Sequence, residues 1–78
     1  MPVLRWVFVR EAEQLQCELS LDHERLLYEL RTRRLGTHVT ESVEHYRDVG
    51  RAFHRQSDLE RGLVQDGWSL TRYEKRTG

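Results

Sequence analysis

Seventy-eight residues leave room for one domain, read as residues 1–78, with a small core and modest stability. Thirteen basic residues balance thirteen acidic ones, so no strong overall field draws the chain to nucleic acid or to an anionic membrane surface. The single cysteine excludes an internal disulfide and fits a reducing cytoplasm, and no apolar run is long enough to span a bilayer.

Residues 3–10, Val-Leu-Arg-Trp-Val-Phe-Val-Arg, are β-branched and aromatic and predict a strand. Arg5 and Arg10 interrupt the apolar character, so this start is not read as a signal peptide. Leu4, Trp6 and Phe8 share one face, and Val3, Val7 and Val9 the other. Residues 14–21 alternate strictly, with Leu15, Cys17, Leu19 and Leu21 inward. Cys17 on that parity reads as a small buried hydrophobe. Asp22-His23-Glu24 turns the chain, and residues 25–32 alternate again with Leu26, Tyr28 and Leu30 on one face. Three alternating runs joined by short turns predict an antiparallel meander.

Residues 33–39 are expected to form a loop around Gly36. A helix is expected from Thr40, as N-cap, to about Gln65, with Glu41 and Glu44 in its first turn. Val43, Tyr46, Val49, Phe53, Leu59 and Leu63 would line its buried face beside Ala52. The capping-box pattern Ser57-Asp58-Leu59-Glu60 admits a kink near Gln56, but one continuous helix is expected. Gly50 and Gly62 inside it suggest close packing on the sheet, and Gly67 stands where a helix ends in a left-handed residue. Residues 68–73 alternate as a short last strand. Counting directions through one helix makes that strand parallel to the first or third. Residues 75–78 read as a frayed tail. The fold class is therefore α+β: a three-stranded meander, one long helix on one face and a short C-terminal strand.

No catalytic or metal constellation emerges. Glu41 and His45 fall at i,i+4 on the expected helix, without the further ligands a metal needs. Ser42, Glu44 and His45 are sequence neighbours rather than a triad. The glycines make no phosphate-binding fingerprint, and Asp22 and Glu24 sit in a turn with no apolar pocket around them. No enzyme, cofactor or small-molecule substrate is expected. What remains is aromatic and basic. Every basic residue but Lys75 is arginine, the residue suited to planar, bidentate contacts. Arg25, Arg31, Arg33 and Arg34 cluster near the glycine loop. Arginines interleaved with Trp6, Tyr28, Trp68 and Tyr73 suit base stacking and phosphate contact. The same aromatics equally suit a small core.

The order of features resembles the WGR domain family. Leu4-Arg5-Trp6-Val7-Phe8-Val9 is similar to its opening strand, and Arg34-Leu35-Gly36-Thr37 to its Trp-Gly-Arg-Ile-Gly loop. Tyr46, Ala52, Leu59, Leu63 and Gly67-Trp68 stand where its helix carries an aromatic, an alanine and leucines before a closing glycine and aromatic. Thr32 and Arg33 occupy the positions of the family's Trp-Gly, so only Arg34, Leu35 and Gly36 can inherit the loop's roles. In poly(ADP-ribose) polymerases the loop tryptophan and arginine of this domain contribute to DNA-end contact and interdomain contact. The resemblance therefore implies a non-enzymatic accessory domain that binds DNA or RNA, and the arginine cluster nominates Arg25, Arg31, Arg33 and Arg34 for that contact. The alternative is a protein-interaction module or homodimer. It would use Val3, Val7, Val9 and Leu27 on the sheet face that one helix leaves open.

Overall fold

In the computed structural model, described over residues 3–36 and 38–77, the chain runs β1 (Val3–Arg10), β2 (Glu13–Asp22), β3 (Leu27–Leu35), β4 (Thr40–Tyr46), α1 (Val49–Gln65) and β5 (Ser69–Arg76). The expected tail reaches Gly78 and the family-like stretch reaches Thr37, both outside the described residues. The five strands form one antiparallel sheet in the order β4-β3-β2-β1-β5, with α1 against one face. The class is α+β, as the residue pattern implies.

The meander forms as the alternation dictates. Leu4 lies opposite Leu19, Trp6 opposite Cys17 and Phe8 opposite Leu15, so both strands turn their apolar sets to one side. Leu30 opposite Leu19 and Tyr28 opposite Leu21 extend that side onto β3. The β1–β2 turn holds Glu11 at φ +54. The β2–β3 turn holds Leu26, expected on the strand, at φ +55 and exposed. Asp22 steadies this second turn, its Oδ1 accepting from the Glu24 and Arg25 amides at 3.1 and 3.3 Å.

Residues 40–46 are a strand, not the first turns of a helix. Thr40 is not an N-cap, and Glu41, Val43, Glu44 and Tyr46 are not helical. The segment satisfies both periods: Val43, Tyr46 and Val49 recur at helical spacing, while Thr40, Ser42, Glu44 and Tyr46 alternate with Glu41, Val43 and His45. The outer backbone groups of β3 decide between them, because they gain a complete ladder of hydrogen-bonding partners from β4. β3 correspondingly continues to Leu35, through residues expected to be loop. The helix begins after Asp48, whose Oδ1 accepts from the Gly50 amide at 2.8 Å. It then runs unbroken past Gln56 and Ser57.

The extra strand reverses the parity of the direction count, so β5 runs antiparallel to β1 rather than parallel to it. β5 also extends through Lys75 and Arg76, which are not a frayed tail. The end of α1 is a Schellman motif: the Trp68 amide donates to the Leu63 carbonyl at 2.9 Å and the Gly67 amide to Val64 at 3.2 Å. Gly67 takes φ +93 there, as the sequence leads one to expect. The core comprises Leu4, Trp6, Phe8, Leu15, Cys17, Leu19, Leu30, Ala52 and Trp68, with Tyr28, Tyr46, Leu59 and Leu63 packed against it. Ala52, Gln56, Leu59 and Leu63 form the inner helix stripe, whereas Phe53, expected inside, is 40% exposed. Starting the helix at residue 49 removes Val43 and Tyr46 from the stripe, and Phe53 lies about 100° around the axis from Ala52.

Candidate functional site: the β5 edge and the arginine surfaces

The four sequence-nominated arginines do not form one surface. Arg25 sits in the β2–β3 turn beside Asp22, 3.8 Å away. Arg31 and Arg33 lie on the open sheet face, where Glu41 meets both, at 2.7 and 3.3 Å, and Glu29 also meets Arg31. They line a depression with Gln16, Glu18 and Glu41, in which carboxylates neutralise the guanidinium groups. Arg34, one residue on, points to the helix side. Its Nε donates to Glu13 at 2.6 Å, and its guanidinium lies 5.5 Å from the centre of the Trp68 ring. Arg10 approaches the same ring at 4.7 Å and donates to the Asp66 carbonyl and carboxylate at 3.0 and 2.9 Å. Trp68, 4% exposed, is thus held by two arginines that also tie β1 and β3 to the helix end.

Val3, Val7, Val9 and Leu27 do share the open face, but not as one exposed apolar patch. Val7 is only 4% exposed. Its cross-strand partners are Gln16 and Arg72, and the Arg5–Glu18 pair at 2.7 Å stands beside it. Long polar side chains with apolar stems screen a valine among them. Val3 and Val9 lie at opposite ends of β1, and Leu27 lies two strands away. Glu74 meets Arg72 at 2.5 Å, Arg76 at 3.6 Å and Arg5 at 3.9 Å, which makes this face a lattice of paired charges.

The β4–α1 corner is also polar. Glu41 and His45 are on β4 rather than on a helix, and they face Arg31, Arg33 and Glu29 instead of each other. The Arg55 guanidinium donates to Glu44 at 3.0 Å and holds that carboxyl below the usual range, with the Tyr46 hydroxyl donating to it as well. Burial, with that hydrogen bond, pushes the Tyr46 phenol up. Next to them His45, Tyr46, Arg47, Asp48 and Arg51 line a depression. Among the described residues, Arg47 and Arg51 are without a carboxylate partner within 4.0 Å. Burial raises the Cys17 thiol to about 11, so it is no nucleophile at neutral pH. Among the described residues no three His, Cys, Asp or Glu side chains form a metal-holding group, and no helix is long and apolar enough to cross a membrane.

The apolar surface lies on the other side of the sheet, along β5. Register shifts between Val7 and Phe8: Val7 faces Arg72 and Phe8 faces Leu70. Thr71 is the extra residue, and its hydroxyl donates to the Val7 carbonyl at 3.1 Å. The bulge puts Leu70 and Tyr73, three apart, on the same helix-side face. Leu70 is 43% and Tyr73 52% exposed, and the Tyr73 ring tilts against Trp6 at 5.4 Å. Arg55 reaches β4 from one flank of α1, and Phe53 and Val64 lie on the opposite flank. Both are exposed. The strand alternation was visible in the sequence; the bulge that gathers Leu70 and Tyr73 was not. Comparison with protein families, with curated proteins and with solved structures gives no match for this chain.

Proposed function

We propose that this chain is a non-enzymatic interaction domain, working in a reducing cytoplasm, whose contact surface is the β5 edge. The observation that carries the reading is Leu70 and Tyr73 exposed together on the helix side of an edge strand. An edge strand presents unpaired backbone donors and acceptors, and apolar side chains next to it add affinity to strand addition. A protein segment in extended conformation is the partner this surface fits. Selection from a displayed library of extended peptides tests it. Peptides should be enriched, and Tyr73→Ala and Leu70→Asp should each weaken them about tenfold or more. Enriched peptides indifferent to both substitutions would overturn the reading.

A second reading, binding of DNA or RNA as a WGR-like accessory domain, draws support from Arg47 and Arg51 beside Tyr46. On that reading the cations in play are these two rather than Arg25, Arg31, Arg33 and Arg34, which have carboxylates nearby. Titration with single- and double-stranded DNA at low salt tests it, and no binding under those conditions removes it.

A further inference from the structure

Within the interaction reading, which this inference rests on, the sequence of β5 specifies one partner. We infer that a second copy of this chain pairs with β5 antiparallel about a two-fold axis at Tyr73, joining two five-stranded sheets into one of ten strands.

Register selects that axis. Two copies joined edge to edge by a two-fold axis normal to the sheet keep their helices on the same side. Residues opposite each other must then share a face, so the register moves in steps that keep face parity. An axis at Arg72 sets Arg72 against its own copy. An axis at Glu74 sets Glu74 against its own copy and Arg72 against Arg76 of the other chain. Like charges directly opposite destabilise a strand pair. An axis at Tyr73 sets Arg72 against Glu74 of the other chain twice, once on each side, and places Tyr73 against Tyr73. Those charges lie on the open face, where Arg72 and Glu74 already sit 2.5 Å apart. On the helix side the 5.4 Å contact of Trp6 with Tyr73 would continue across the axis to the second Tyr73 and Trp6. The half-exposed Tyr73 and Leu70 are thereby covered.

β4, the other edge, offers less. Its helix side carries Thr40, Ser42 and Glu44, and Glu44 is already engaged by Arg55 and Tyr46. β5 is therefore the edge at which self-pairing joins charge complementarity to apolar cover.

Sedimentation equilibrium of the full chain, with disulfide trapping, tests the inference. The wild type should dimerise. Arg72→Glu sets a carboxylate against Glu74 of the other chain and should raise the dissociation constant about tenfold or more. Tyr73→Cys should cross-link under mild oxidation, since residues facing each other across an antiparallel pair lie about 4.5–5.5 Å apart at Cα, within disulfide reach. Arg76→Cys, whose own copy would lie at the far end of the paired strands, should not, and the buried Cys17 leaves the wild type uncrosslinked as a control. Circular dichroism establishes that the variants fold. A wild type that stays monomeric to about 1 mM overturns the inference, even if displayed peptides still bind β5 and the interaction reading stands. So does a dimer indifferent to Arg72→Glu in which Arg76→Cys cross-links as readily as Tyr73→Cys.

Discussion

Gly62 is a residue the fold does not need. It lies inside α1, and a Cβ added there would meet nothing within 4 Å beyond its chain neighbours and the helix's own backbone. The close packing suggested by its place in the sequence does not occur. Gly62→Ala should therefore stabilise the domain by about 0.5–1 kcal/mol, read as a higher denaturation midpoint. Gly50 differs, because its added Cβ would lie 3.2 Å from the Asp48 oxygen that caps the helix. Glu44 gives a pH signature. Its carboxyl is held below the ordinary value of 4.5, first by the hydrogen bond from Arg55. A lowered folded pKa adds stability that is present above the unfolded value and lost as pH falls through the folded one. Glu44→Gln should therefore shrink the stability lost on acidifying from about pH 5 downward, measured by denaturant titration at several pH values. An unchanged acid limb would show that the Arg55 contact contributes nothing in solution.

Phe53 and Phe8 separate the expected helix face from the observed one. Phe8 is fully buried, and Phe8→Ala should cost about 3–5 kcal/mol. Phe53→Ala, on an exposed flank, should cost about 1 kcal/mol or less in the same chemical denaturation. Equal losses would return Phe53 to the core. The three-stranded meander was legible because Leu15, Cys17 and Leu19 admit only one period, and Gly67 marked the helix end because αL suits glycine. Residues 40–46 were not, since Val43 and Tyr46 join Val49 at helical spacing while the segment also alternates as a strand. What settled that segment is the hydrogen-bonding demand of the β3 edge, a non-local fact. The same ambiguity carried the direction of β5 with it. At the site, the arginines were legible as residues but not as ion pairs, because their carboxylates Glu13, Glu29 and Glu41 come from other strands or from two residues away. Glu13 and Arg34, for example, are 21 positions apart.

The whole molecule is electrically neutral, with a lattice of paired charges on one sheet face and apolar surface along the opposite side of one edge. Such a charge distribution gives nucleic acid little to hold. Anisotropy titration with DNA should therefore show weak, salt-sensitive binding at most. Any salt slope should fall by about one unit on Arg47→Ala or Arg51→Ala and stay unchanged on Arg31→Ala. On the reading proposed above, the β5 edge is the working surface. The most direct measurement is a backbone amide shift map of the isotope-labelled domain titrated with a selected extended peptide. Saturable shifts are expected at residues 69–76, with β4 and the Arg47–Arg51 corner unmoved. Shifts confined to that corner, or to the Arg31–Glu41–Arg33 face, would contradict it.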